Sequence, residues 1–205
     1  MINPAFHSVF EPSISGSTRT VLVLHGTGGN EQSLIPLATA IAPTAALLSV
    51  RGQVIENGMP RFFRRFAEGV FDIPDLLTRT DDLAHFLSEA STQYGFDSNQ
   101  VFAIGYSNGA NIASSLLFRR PEALAGAILL RGMTPFEPKS KPSLAGKPVL
   151  LLSGRQDPIV PVEDATHLTE LLLSLGANAT HLWSDFGHGL MDSEIEEARL
   201  WFTTV

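Results

Sequence analysis

Short apolar runs alternate along this chain with longer stretches of helical period, and that alternation leaves few folds open. A strand buried on both faces reads as a continuous apolar run, so the pattern predicts a mostly parallel sheet with helices packed against it. The runs fall at residues 20–24, 45–50, 101–106, 127–130, 149–152 and 180–183. Between them the spacing predicts helices from Leu34 to Ile41 and from about Asp75 to Tyr94, with Leu76, Leu83, Phe86 and Leu87 on one face and Gly95 as C-cap. Further helices are expected from Ser107 to about Arg119, where Pro121 ends the run, and from Val162 to Leu175, closing on Gly176. Ser193 and Glu196 read as the capping box of a last helix to about Phe202. No repeat or linker divides the 205 residues, so one domain over 1–205 is expected, an α/β fold with a sheet of about six to seven strands.

Composition removes several function classes. Apolar residues make up 44% and charged residues 17%, enough to fill a core. A net charge of −7 argues against a nucleic-acid or anionic-membrane partner, both of which need a basic surface. With no cysteine, disulfides, thiolate catalysis and cysteine metal sites are excluded. No apolar stretch reaches the roughly 18 residues of a membrane-spanning helix. The opening Met1-Ile-Asn-Pro-Ala-Phe-His7 has no cationic stretch before an apolar run, so a cytoplasmic location is expected.

The chemistry centres on Gly105-Tyr-Ser-Asn-Gly109, a G-x-S-x-G elbow between an apolar strand and a helix. The tight turn lifts the Ser107 hydroxyl clear of the sheet, and the helix N-terminus offers free N–H groups to an anion. The bland alternative is a serine that only caps a closely packed helix. A serine hydroxyl needs a positioned base, and on such an elbow acid and then histidine follow the serine in the chain. Of the three later histidines, His167 falls in a helix and His181 in a strand. His188 lies in Asp185-Phe-Gly-His-Gly-Leu190, a loop after the last strand, and is the expected base. Asp157, just past a buried strand in Ser153-Gly-Arg-Gln-Asp-Pro-Ile-Val-Pro161, is the expected acid, against the alternative of a turn aspartate bonding its own backbone. Asp164 and Asp185 are the fallback acids.

Two backbone donors are needed for a developing oxyanion. The N–H of Asn108 is one, and the N–H of Thr27, in the loop His25-Gly-Thr-Gly-Gly-Asn30, is the other; His25 is expected to orient that loop. A nucleotide site is the rival reading of this glycine-rich turn, but Glu31 stands where a third glycine belongs and would repel phosphate. Residues 51–71 lie beyond a strand on the same sheet edge and place Arg51, Arg61, Arg64 and Arg65 among Phe62, Phe63, Phe66 and Phe71. Either these phenylalanines line a substrate pocket, with one or more of the arginines meeting a polar or anionic substrate group and Phe62, Phe63, Arg64 and Phe66 the residues singled out, or the phenylalanines are core and the arginines pair internally; periodicity does not decide. Met133 and Phe136 are further candidates for the pocket wall.

The segments Leu24-His-Gly-Thr-Gly-Gly-Asn-Glu31, Arg51-Gly-Gln-Val-Ile-Glu-Asn-Gly-Met-Pro-Arg-Phe-Phe-Arg-Arg65, Gly105-Tyr-Ser-Asn-Gly-Ala-Asn111, Gly154-Arg-Gln-Asp-Pro-Ile-Val-Pro161 and Gly187-His-Gly189 extend over most of the chain. Through them it resembles the carboxylesterase/phospholipase branch of the α/β-hydrolases, which includes acyl-protein thioesterases. It looks most similar there to small bacterial carboxylesterases associated with hydroquinone and quinone stress. The resemblance implies an α/β-hydrolase fold without a cap domain, a Ser107–Asp157–His188 triad, no cofactor or metal, and a small-molecule ester as partner; it leaves a homodimer open. Thioester and lysophospholipid substrates, or a non-catalytic protein of the same fold, are the alternatives. Asn108 stands where acyl-protein thioesterases usually carry Gln, and the cysteine nucleophile of dienelactone hydrolases has no counterpart.

Overall fold

In the computed structural model, which describes residues 6–14 and 16–205, the six apolar runs form six strands of a seven-stranded sheet. The first three strands are β1 (Ser8–Glu11), β2 (Thr20–Leu24) and β3 (Ala46–Val50). Two small hairpins follow, β4 (Val54–Glu56) with β5 (Met59–Arg61) and β6 (Arg65–Ala67) with β7 (Val70–Phe71). The sheet is completed by β8 (Val101–Tyr106), β9 (Gly126–Leu130), β10 (Pro148–Gly154) and β11 (Asn178–Ser184). Its order is β1-β3-β2-β8-β9-β10-β11, parallel throughout except for β1, which runs antiparallel to β3 with Ser8 opposite Val50.

Five α-helices cover the sheet among the described residues: α1 (Ile35–Ile41), α2 (Ile73–Tyr94), α3 (Asn108–Arg119), α4 (Val162–Ser174) and α5 (Asp192–Thr204). The two-residue period of each strand divides the core. Leu22, Leu24, Leu129 and Leu151 face α2, α3 and α4, whereas Val21, Val23, Ile128 and Leu150 face α1 and α5. Gly95 ends α2 in the left-handed conformation, φ +73°, as its place after the apolar face predicts.

Three features differ from the sequence expectation. β1 is an additional strand, because four residues with two apolar positions carry too weak a pattern and gain their place only by pairing with β3. Residues 51–71, without a predicted element, fold into the two hairpins, whose strands of two or three residues are held by their neighbours. The last helix starts at Asp192, and its capping acid is Glu194, whose Oε2 accepts the Met191 N–H at 2.9 Å. Glu196 pairs with Arg199 on the surface instead of closing a box with Ser193. The N-terminal residues 1–5, read above for a targeting signal, lie outside the described residues.

The strand order places the site. From β2 the chain moves outward to β3, then crosses back through α2 to β8 on the other side of β2, so the loops leaving β2 and β8 diverge and open a crevice at the sheet's carboxyl edge. The turns after β10 and β11 reach the same edge, bringing Thr27, Ser107, Asp157 and His188 to it from four strand ends.

Candidate active site

Ser107 occupies the turn between β8 and α3 with φ 53° and ψ −114°, a conformation that non-glycine residues adopt only under constraint. The constraint is visible: its N–H is tied to Leu130 O at 2.8 Å, and its carbonyl accepts the Asn111 N–H at 3.0 Å. The flanking glycines are sterically required. A Cβ on Gly109 would stand 2.0 Å from Leu24 O, and one on Gly105 would stand 2.5 Å from Gly109 O. Without side chains there, the first turn of α3 packs directly on β2 and β8, and Ser107 is pushed out over the edge.

His188 reaches Ser107 from the loop after β11. Its Nε2 lies 3.0 Å from Ser107 Oγ, and its Nδ1 lies 2.7 Å from Asp157 Oδ2. Asp157, whose side chain is buried, uses its other oxygen, Oδ1, to accept the Ile159 N–H at 2.8 Å and the Val160 N–H at 3.1 Å. The two readings of this residue are therefore compatible: one carboxylate oxygen closes the turn and the second faces the imidazole. The fallback acids lie elsewhere. Asp164 Oδ2 accepts the Thr134 N–H, and Asp185 is exposed beside Arg155.

The loop carrying His188 is clamped from below by residues that the sequence reading passed over. Arg131, fully buried at the end of β9 with φ +56°, donates from Nε to Gly187 O at 3.0 Å and from Nη2 to Gly189 O at 2.6 Å. The Tyr106 hydroxyl donates to the carbonyl between them, His188 O, at 2.8 Å. Arg131 is balanced by Glu194 through bonds of 2.8 and 2.9 Å, and Glu194 also accepts from Ser184 Oγ and the Met191 N–H. Burial alone would raise the Glu194 carboxyl, but Arg131 and these donors hold it below the ordinary range. The available signal was a lone arginine ending an apolar strand, Leu129-Leu-Arg131.

Across the site, neither the Thr27 N–H nor the Asn108 N–H makes a hydrogen bond among the described residues. Both residues are braced by consecutive residues of the 51–71 segment. Arg61 Nη1 donates to Thr27 Oγ1 at 2.6 Å, and the Phe62 N–H donates to Asn108 Oδ1 at 2.8 Å. His25 is buried under the loop, with Nδ1 against Gly26 O at 2.6 Å and Nε2 accepting the Gly52 N–H at 3.0 Å. That pair of contacts suits the neutral ring protonated on Nδ1, and burial lowers its pKa accordingly.

The substrate-side expectations need correction. Phe62 and Phe63, 2% and 0% exposed, belong to the core: Phe62 packs on the His25 ring and Phe63 meets Phe71 edge-on. Arg64 lies at the surface beside Asp72 and Asp75, and Phe66 is 75% exposed. None of the four bounds the cleft beside Ser107. That cleft is walled by Thr27, Arg61, Phe71, Asn108 and Met133 among others, so of the expected pocket residues Phe71 and Met133 line it, with Arg61 the one arginine of the segment that does. Phe136 faces a separate hollow between α2 and α3. Phe62 and Phe63 fall in the link between the two hairpins and are tucked into the core, whereas Phe66 lies on the exposed second hairpin, a division that a helical or linear reading of the phenylalanines could not resolve.

One buried and one half-buried histidine make stability depend on pH. In β11, His181 stands between Thr169 Oγ1 at 2.6 Å and Ser153 Oγ at 3.0 Å, and burial, aided by Arg155, lowers its pKa from 6.5 to about 4. A histidine depressed on folding contributes stability that is complete above the unfolded value near 6.5 and is lost as pH falls from there towards 4. His25 has the same sign. The melting temperature is accordingly expected to fall between pH 6.5 and 5, with a shallower slope in His181→Asn; an unchanged slope removes His181 from this account.

The family model for phospholipases and carboxylesterases matches residues 6–204. The chain belongs to the phospholipase/carboxylesterase family. Within that family it is 48% identical over 186 residues to the protein MhqD of Bacillus subtilis strain 168, spanning 91% of this chain and 93% of the relative. It superposes on the crystal structure of a Bacillus cereus carboxylesterase with a TM-score of 0.96 at 48% identity, covering 98% and 95% of the two chains. A carboxylesterase of Mesorhizobium loti matches with a TM-score of 0.92 at 31% identity, over 100% and 98%. The sheet and its helices are those of the α/β-hydrolase fold, with no cap evident. Among the described residues of this member of the phospholipase/carboxylesterase family, no helix is long and apolar enough to cross a membrane, and no cluster of three or more acidic or histidine side chains is arranged to hold a metal ion.

Proposed function

We propose that the chain is a carboxylesterase that works through an acyl-enzyme on Ser107. The observation that carries this reading is the continuous path from Ser107 Oγ to His188 Nε2 (3.0 Å) and from His188 Nδ1 to Asp157 Oδ2 (2.7 Å), next to two unengaged backbone donors. In the first half-reaction the Ser107 hydroxyl proton passes to His188 Nε2 as Oγ attacks the ester carbonyl carbon. Negative charge gathers on the carbonyl oxygen and is received by the N–H groups of Thr27 and Asn108. Collapse of the adduct breaks the bond to the alcohol oxygen, which takes the proton from His188 and leaves. Water then attacks the acyl-enzyme by the same route, His188 Nε2 accepting its proton and returning it to Ser107 Oγ. Asp157 holds the Nδ1–H tautomer throughout and stabilises the imidazolium.

The family relationship supports ester hydrolysis as the reaction type, and the likeness to two carboxylesterase structures supports carboxylic esters as its substrates. Ser107→Ala is expected to abolish turnover of a short-chain aryl ester and labelling by a fluorophosphonate, with the melting temperature retained. Full activity in that variant would overturn the assignment of the nucleophile.

A further inference from the structure

We propose that the cleft beside Ser107 is an acyl pocket for a short chain bearing a neutral oxygen acceptor next to the reacting carbonyl, and that Arg61 receives that oxygen. The inference rests on the esterase reading above. Direction comes first. The departing alcohol takes its proton from His188 Nε2 and therefore lies on the histidine side. The carbonyl oxygen is received at the end of the cleft formed by Thr27 and Asn108, and His188 is not among the walls, so the rest of the cleft, towards Arg61, Phe71 and Met133, takes the acyl side.

Size comes second. The cleft leaves only about 20 Å³ for a water-sized group, and a single water needs about 10–15 Å³. That admits roughly one heavy atom beyond the carbon attached to the carbonyl. Its wall is polar where an alkyl chain would want it apolar. Arg61, 2% exposed, commits Nε to Phe63 O and Nη1 to Thr27 Oγ1, and Nη2 takes part in neither bond. Asn108, 2% exposed on the same wall, has its Nδ2 buried without a partner. An alkyl group would leave these donors unsatisfied, whereas an oxygen atom of the substrate would pair with one of them.

Charge decides what kind of oxygen. Glu56 lies 3.2 Å from Arg61 Nε and offsets its cation, and Glu68, paired with Arg65, forms part of the same wall. Arg131, the other cation of the wall, is likewise paired, with Glu194, so a carboxylate entering here would bring a charge that no unpaired cation balances. A hydroxyl, ether or ketone oxygen would gain a charge-assisted hydrogen bond without bringing in that charge.

The test compares esters of glycolic, propanoic and butanoic acids with one aryl leaving group, each kcat/KM divided by that ester's alkaline hydrolysis rate. Glycolate and propanoate differ by one oxygen-for-methyl exchange, so size is held constant. On these normalised rates the unmodified enzyme is expected to favour glycolate over propanoate by about tenfold or more, with butanoate slowest. In Arg61→Met the glycolate-to-propanoate ratio should collapse towards one, and in Arg61→Lys it should fall to an intermediate value. Propanoate equal to or faster than glycolate in the unmodified enzyme would overturn the proposal without any variant, as would an unchanged ratio in folded Arg61→Met. Turnover without glycolate preference removes only the pocket assignment. Failure to cleave any of the esters, together with unlabelled Ser107, removes the esterase reading and the pocket with it.

Discussion

Asp157→Asn is expected to lower kcat by about 10⁴-fold while leaving the fold in place. The magnitude follows from how the carboxylate is shared. Oδ1 accepts the N–H groups of Ile159 and Val160, so an asparagine at this position must turn its amide oxygen towards those donors. Its NH₂ then faces His188 Nδ1, which can only accept. The ring proton moves to Nε2, and the nitrogen that stands 3.0 Å from Ser107 Oγ becomes a donor where a base is required. The check is kcat on a short aryl ester beside a thermal melt. A loss of less than tenfold would show that Asp157 serves its turn and not the histidine.

Arg131→Met is expected to cost about 3–5 kcal/mol of stability, because it leaves the Glu194 carboxylate buried without its cation. The same change releases the carbonyls of Gly187 and Gly189, and kcat should fall by about 10²-fold as His188 loses its fixed approach to Ser107. The two effects separate in the double variant Arg131→Met/Glu194→Leu. Removing both charges should restore most of the stability, as apolar replacements of buried ion pairs often do, but leave kcat low because the loop is still unclamped. Urea unfolding and steady-state kinetics on the unmodified protein and the two variants provide the readout. Recovery of kcat together with stability would reduce the pair to a structural one.

The stretches that were legible are those whose environment acts on every residue in turn. β2, β3, β8, β9 and β10 are buried on both faces, so apart from isolated polar positions such as Thr20, Ser49 and Ser153 the run is apolar and visible without knowing its neighbours. The same holds for the elbow at Ser107, where the backbone approach to Leu24 demands glycine at 109, and for the left-handed cap at Gly95. The hairpins of residues 54–71 were not legible. Their strands are too short to show a period, and Phe62 and Phe66 end at 2% and 75% exposure because the first lies in the buried link between the hairpins and the second on the exposed strand β6.

Asp157 and His188 could be nominated from the sequence because a nucleophilic serine at a strand end requires an acid and a base at the ends of later strands, and chain order narrows the candidates. What the sequence determined by itself was therefore the set of buried strands, the turn at Ser107 and the residues eligible to serve it. Tertiary structure alone decided which side chains meet there. Arg131 reaches Glu194 across 63 positions, and Arg61 reaches Thr27 across 34. Such polar contacts leave no periodic trace, since each depends on two distant segments arriving at one sheet edge and not on the pattern within either.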